Sequence, residues 1–177
     1  KAADKRVQLI DRLMKSESFL RHQVIEFNWL LMDKQDGKMG NYLTVALKEG
    51  RSWDKVFREV ILPDQADAKL RDAAVFIKER AKDADVLTVD VSVKFFGVNV
   101  SCARCHDHPE VPSWKQDHYY GMKSFFNRTF DNGDFFGERE YGRISFKTTK
   151  GESKQAKLMF LSGNEIKEPA SKEPDKK

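Results

Sequence analysis

Apolar positions recur at helical spacing through most of the N-terminal half of the chain. Val7, Ile10 and Met14 fall near a 3.6-residue period, and Val24, Phe27 and Leu31 repeat it in the next segment. Both sets are expected to be core faces. Asp36-Gly37 and Gly40 interrupt the pattern before a short helix over Tyr42 to Lys48, which is expected to end at Gly50. Ser52 stands where an N-cap belongs, ahead of an apolar stripe of Trp53, Val56, Phe57, Val60 and Ile61. Pro63 closes that element, and Leu70, Ala73, Ala74 and Ile77 mark a further helix.

The pattern over residues 87–100 has two readings. Val89, Val91, Val93 and Phe95 alternate with Asp90, Ser92 and Lys94 as in a half-buried strand, whereas a helix would find its terminator in Gly97. Asp117 to Asn127 reads as a helix with Asp117 as its acidic cap, carrying His118, Met122 and Phe125 or Phe126 on one side. Further on, Gly133, Gly137, Gly142 and Gly151 punctuate an irregular section in which Arg143 to Lys147 and Lys157 to Leu161 are candidate short strands. No internal repeat is evident.

A chain of 177 residues is long enough for one sizeable domain. The architecture expected is mostly α: a single compact helical domain over residues 1–165 with a small irregular or β-containing C-terminal section, followed by a charged linker or tail over 166–177. Thirty-two Lys and Arg against 28 Asp and Glu leave a net charge of only +4, with many charges at the chain's ends. Such ends solvate rather than grip a polyanion, and no basic run is joined to stacking aromatics, so nucleic-acid binding is not expected. No apolar run reaches the length of a membrane span, and no signal-peptide stretch opens the chain.

Chemistry concentrates in Cys102-Ala103-Arg104-Cys105-His106, which uses both cysteines of the chain. C-x-x-C-H is the attachment signature of c-type haem: two thiols are spaced for the two porphyrin vinyl groups, and an imidazole follows at once to supply the proximal nitrogen to iron. The same atoms allow other readings. Cys102 and Cys105 with two of His106, His108 and His118 make a Cys2His2 zinc set, although His106 follows Cys105 too directly for a separate knuckle. A redox-active C-x-x-C would attack through a Cys102 thiolate.

With haem c as cofactor, Cys102 and Cys105 are the expected attachment points and His106 the proximal metal ligand. His118 leads the distal candidates, because the Pro109 to Ser113 turn can fold its helix back. His22, which shares a helical side with Ile25 and Trp29, comes next, followed by Met159 and Met122. His108 is expected to bond a propionate or support the local turn. Trp114, Tyr119 and Tyr120 offer flat apolar surface with hydrogen-bonding handles for a haem edge, or else serve the core. Arg104 fits a propionate, an acidic electron partner or plain solvent, and Asp107 a neighbouring imidazole or the following turn.

The stretch from Phe95-Phe96-Gly97-Val98-Asn99-Val100 through Ser101-Cys102-Ala103-Arg104-Cys105-His106-Asp107-His108-Pro109 and Trp114-Lys115-Gln116-Asp117-His118-Tyr119-Tyr120 to Phe125-Phe126 resembles the domain of unknown function 1549 of planctomycete proteins, also called the planctomycete cytochrome-like domain. Upstream, Asn41 to Ala46 and Ser52-Trp53-Asp54-Lys55-Val56 resemble the family's stretch ending in a Pro-Trp/Tyr-Asp phrase, with Ser52 in place of the proline; His118 is not a general feature of the family. The resemblance spans about residues 5 to 165. It implies a helix rather than a strand before the motif, and a segment of a large exported protein with neighbouring domains, without supplying a reaction.

The function expected is therefore a haem-bearing electron-transfer module of an exported, periplasmic protein, working with a redox partner or with neighbouring domains of a longer polypeptide. The alternatives are a haem-dependent enzyme or sensor with an exchangeable distal position, and a zinc-bearing interaction domain.

Overall fold

The computed structural model describes residues 2–33, 38–64, 66–133, 136–139 and 142–167. Asp36-Gly37 and most of the expected charged tail lie outside the described residues. The mostly helical class and the small β-containing C-terminal section are as the sequence pattern predicts. Within that class the chain packs as two compact units, Lys1–Ile77 and Lys78–Lys177.

The first unit holds α1 (Ala2–Met14), α2 (Glu17–Met32), α3 (Gly40–Lys48), α4 (Trp53–Ile61), a 3-10 turn at Arg71–Ala74 and the start of α5 (Val75–Arg80). Ser16 caps α2 by accepting the Phe19 N–H at 3.2 Å, and Asp33 closes it in the left-handed region. Leu31, Met39, Tyr42, Leu43, Val60 and Phe76 are buried. Buried Asn28 ties α2 to the start of α3 by accepting the Met39 N–H at 3.0 Å. The two family-like stretches form α3 and α4 and are joined by polar contacts. Tyr42 donates to Glu59 at 3.0 Å, and Arg51 reaches Glu59 at 2.7 Å and Glu49 at 2.8 Å. Burial, then the hydrogen bond to Glu59, raises the Tyr42 phenol far above its ordinary range, so it remains a donor. Ser52 occupies the N-cap position of α4 as expected, with extended backbone, but its side chain caps no helical N–H; it hydrogen-bonds Asp54 and lowers that carboxyl's pKa.

One expectation fails here. Val7, Ile10 and Met14 are not core: they are 56%, 44% and 58% exposed. Periodicity reports an amphipathic helix, and nothing in it says that a neighbour covers the stripe.

In the second unit, Asp83 caps α6 (Ala84–Phe96) by accepting the Asp85 and Val86 N–H groups, and Gly97, at φ 69°, ends it. The strand-like alternation before Gly97 is thus helical. A 3-10 turn at Ser101–Arg104 and a loop lead to α7 (Gln116–Phe126). α7 begins one residue before the expected Asp117, and its N-cap is Lys115, whose N–H is accepted by the His118 ring; Asp117 instead pairs with Lys154 at 3.0 Å. Met122 and Phe126 are buried core. Two antiparallel hairpins follow: β1 (Thr129–Asp131) with β2 (Phe136–Glu138), and β3 (Ser145–Lys147) with β4 (Ser153–Gln155).

The strand expected at Arg143–Lys147 is present in its second half, whereas Lys157–Leu161 forms only a single bridge, Met159 with Glu165. The reason lies in α7. An ideal Cβ on Gly121 would stand 2.7 Å from the Met159 Cβ, 2.8 Å from its carbonyl oxygen and 3.2 Å from the Lys157 carbonyl oxygen. The segment is laid across the helix instead of along another strand.

Gly121→Ala sets two effects against each other. Alanine gains about 1 kcal/mol of helix propensity, but its methyl overlaps backbone that cannot swing aside, and overpacking of this kind costs about 1–3 kcal/mol. We expect net destabilisation and a melting temperature lower by about 3 °C. A variant melting at or above the parent would show that this approach is loose.

Candidate functional site

The C-x-x-C-H motif is displayed by a turn whose inner side is anchored. Val100, Ala103 and Tyr119 form a buried cluster, with Val89, Val98, Tyr120 and Leu161 packed against it. Ala103, inside the C-x-x-C spacing, is 1% exposed, and the turn that buries it leaves Cys102, Cys105 and His106 exposed. Both thiols are free. Between the cysteines, Ala103 faces inward and Arg104 faces out.

His106 Nδ1 lies 2.6 Å from the Asp107 carbonyl oxygen. A carbonyl only accepts, so Nδ1 carries the proton and Nε2 keeps its lone pair, the tautomer in which a histidine coordinates a metal through Nε2. The Asp107 carboxylate turns away to Lys115, 2.6 Å distant. Asp107 therefore serves the neighbouring imidazole through its backbone.

His108 has no nitrogen to spare. Its Nε2 donates to the Asn99 carbonyl at 3.0 Å, its Nδ1 accepts the Val111 N–H at 3.1 Å and the Glu110 N–H at 3.3 Å, and its own N–H reaches the Trp114 carbonyl at 2.8 Å. Trp114, half-buried, packs edge-on against its ring at 5.4 Å. The two residues fold the loop after the motif. His118, half-buried near Gly163, accepts the Lys115 N–H at Nδ1, so Nε2 holds the proton and offers no lone pair in this arrangement. His22 lies in the first unit, with a side chain 65% exposed and 3.8 Å from Glu26. Met159 is buried against Gly121. Among the described residues no group of three or more His, Cys, Asp and Glu is gathered to hold a metal ion.

Tyr119 is fully buried and has no surface to present to a ligand; its hydroxyl donates to Asp85 at 2.6 Å. Tyr120 is half-buried, stacked on Phe146 at 4.1 Å. Asp85, at the start of α6, also pairs with Lys123 at 2.6 Å and with Arg104 at 3.3 Å. Burial opposes its charge, but the hydrogen bonds from Lys123 and Tyr119 and the charges of Lys123 and Arg104 outweigh it, holding the carboxyl below its ordinary pKa. Asp85 raises the Arg104 pKa in turn; burial first, then the bond to Asp85, raises that of Tyr119. Arg104, between the cysteines, is thereby tethered.

Sequence reading missed two positioning residues. One is Asp85, which looks like any acidic first-turn residue. The other is buried Gln116: its amide donates to the Arg104 carbonyl at 3.2 Å and the Lys147 carbonyl at 3.3 Å, and its oxygen accepts the Thr149 N–H at 3.1 Å. Gln116 stitches the motif's backbone to the β3 hairpin. Its only sequence signal is a position just before the helix face that carries Tyr119.

Asp85→Asn should destabilise the protein by about 2 kcal/mol, since it strips charge-assisted bonds from three partners. Because the folded carboxyl's pKa is depressed, its contribution is fully present above the unfolded-state pKa of about 4 and is lost as pH falls through the folded value. Denaturant titrations of parent and variant should therefore converge as the pH drops from about 6 toward about 3. A gap that stays constant over that range would show that the carboxylate's charge is not what binds the three partners.

No helix among the described residues is long and apolar enough to cross a membrane. Comparison with known proteins found no similar curated protein and no similar solved structure. Residues 1–131, well over half of the chain and including the whole C-x-x-C-H turn, match the family model PSCyt2, described as a protein of unknown function (DUF1549), and the chain belongs to that family.

Proposed function

We propose that the second unit carries a covalently attached c-type haem on Cys102 and Cys105, with His106 Nε2 as proximal iron ligand, and that it works as an electron-transfer module. The observation that carries this reading is the outward display of two free thiols from a turn pinned by Ala103, next to an imidazole whose Nδ1 proton is already engaged. Attachment adds each S–H across a vinyl double bond: a carbon–sulfur bond forms, the hydrogen goes to the other vinyl carbon, and no electrons are exchanged with a third party. Haem held there supplies one-electron exchange. The chain's own contribution is to keep the thiols accessible, to orient His106 through the Asp107 carbonyl, and to hold Arg104 beside them through Asp85. The exposed turn supports transfer to a docked redox protein or to neighbouring domains of a longer polypeptide, and haem ligation outside the cytoplasm supports an exported, periplasmic setting.

A specific observation favours a second reading. While His118 Nδ1 accepts the Lys115 N–H, it is no ligand, which supports an exchangeable second axial position and hence a haem-dependent sensor or enzyme. A Cys2His2 zinc site finds less support, since His108 and His118 are committed to backbone groups.

Intact mass and a pyridine haemochrome spectrum, on protein made with active haem-ligation machinery, should show one haem bound by two thioethers. Cys102→Ala or Cys105→Ala should leave a single linkage, and His106→Ala should keep the added mass while changing the axial-ligand spectrum. A bare polypeptide, or stoichiometric zinc without iron, sinks the proposal. Carbon monoxide binding by the ferrous form separates the two haem readings: rapid binding supports the exchangeable site, and none supports closed electron transfer.

A further inference from the structure

Every residue of α1 from Asp4 to Met14 is exposed, charged and apolar alike. A 13-residue helix with nothing against it is marginal in water, because few of its bonds remain once a first turn has been nucleated. Its sequence is nevertheless amphipathic. Val7, Ile10, Leu13 and Met14 share one face, and Asp4 and Asp11 run along one edge of it. Such a helix is stabilised chiefly by what its apolar face lies against.

The same unit carries an open groove of about 300 Å³ between the first half of α2 and the last turns of α3. Leu20, Val24 and Ile25 of α2 line it opposite Thr44 and Lys48 of α3, with Glu17 and Arg21 completing the α2 wall. Its accessible surface is mostly apolar, and no residue of α1 lines it. Among the described residues Asp4, Asp11 and Lys48 form no ion pair. The carboxylate edge of the helix therefore matches the α3 wall of the groove in charge, as its stripe matches the α2 wall in polarity.

Within one chain the two surfaces are held apart by Ser16. Its hydroxyl donates to the Leu13 carbonyl at 2.7 Å and accepts the Phe19 N–H at 3.2 Å, so one side chain is bonded to the last turn of α1 and the first turn of α2. While both bonds stand, α1 does not swing onto its own groove. We propose that α1 of one copy lies in the α2–α3 groove of a second copy, with Val7, Ile10 and Met14 against Leu20, Val24 and Ile25 and the Asp4 and Asp11 edge toward Lys48. The exchange is reciprocal and closes a two-fold dimer. A single docking event then covers both the stripe and the groove, each of which gains from leaving water.

Sedimentation velocity of the full chain over about 1–100 µM should show a monomer–dimer equilibrium. Ile10→Asp on the helix and Ile25→Asp in the groove should each raise the dissociation constant about tenfold or more, since each places a charge in an apolar contact. Leu62→Asp, exposed at the end of α4 and lining neither surface, should leave it unchanged. Both target residues are exposed, and a cooperative melt shows each variant folded. Mixing Ile10→Asp with Ile25→Asp chains should restore association, because the intact α1 of the second fits the intact groove of the first. Pairing of α1 with α1, or docking of α1 on its own chain, restores nothing on mixing. A parent that stays monomeric at about 100 µM, indifference to Ile10→Asp, or a mixture that associates no better than either variant alone would each overturn the proposal.

Discussion

The Asp85 carboxylate is the contact on which the rest of the second unit depends. It takes the Tyr119 hydroxyl from one helix, the Lys123 ammonium one turn further along that helix, and the Arg104 guanidinium from the motif turn. A phenol as deeply buried as Tyr119 needs a hydrogen-bond acceptor, and a partly buried carboxylate needs cations; each satisfies the other's requirement. Because Tyr119 also packs on Ala103, the same node decides how the C-x-x-C turn sits. The position of the reactive residues is thus set by a polar contact beneath them rather than by contacts among themselves.

That arrangement separates residues that look equivalent in the sequence. Of the three histidines near the motif, His106 alone has its Nδ1 proton engaged and its Nε2 lone pair free. His108 and His118 are absorbed in closing the loop and starting α7. The aromatic residues divide similarly: Tyr119 belongs to the interior, Trp114 to the loop, and Tyr120 to a stack with Phe146 that joins α7 to β3. α7 has two working ends. Gln116 at its start fastens the motif's backbone, and Ser124 near its end lines a cavity that shares no residue with the motif turn.

Much of this was determined by the sequence alone, wherever the deciding interaction is local. Gly97 ends α6 because glycine alone enters the left-handed region without cost. The 40–48 and 53–61 helices, the mostly helical class and the chemistry of C-x-x-C-H are short-range in the same sense. Tertiary structure decided everything that depends on what lies opposite. The apolar stripe of α1 is periodic yet uncovered, and Lys157–Leu161 has strand character yet lies across Gly121. Asp85 and Gln116 acquire their roles from partners more than ten residues away. Propensity and capping act over a few residues and can be read in order; burial and long-range partnership are properties of a surrounding that the linear chain does not yet have.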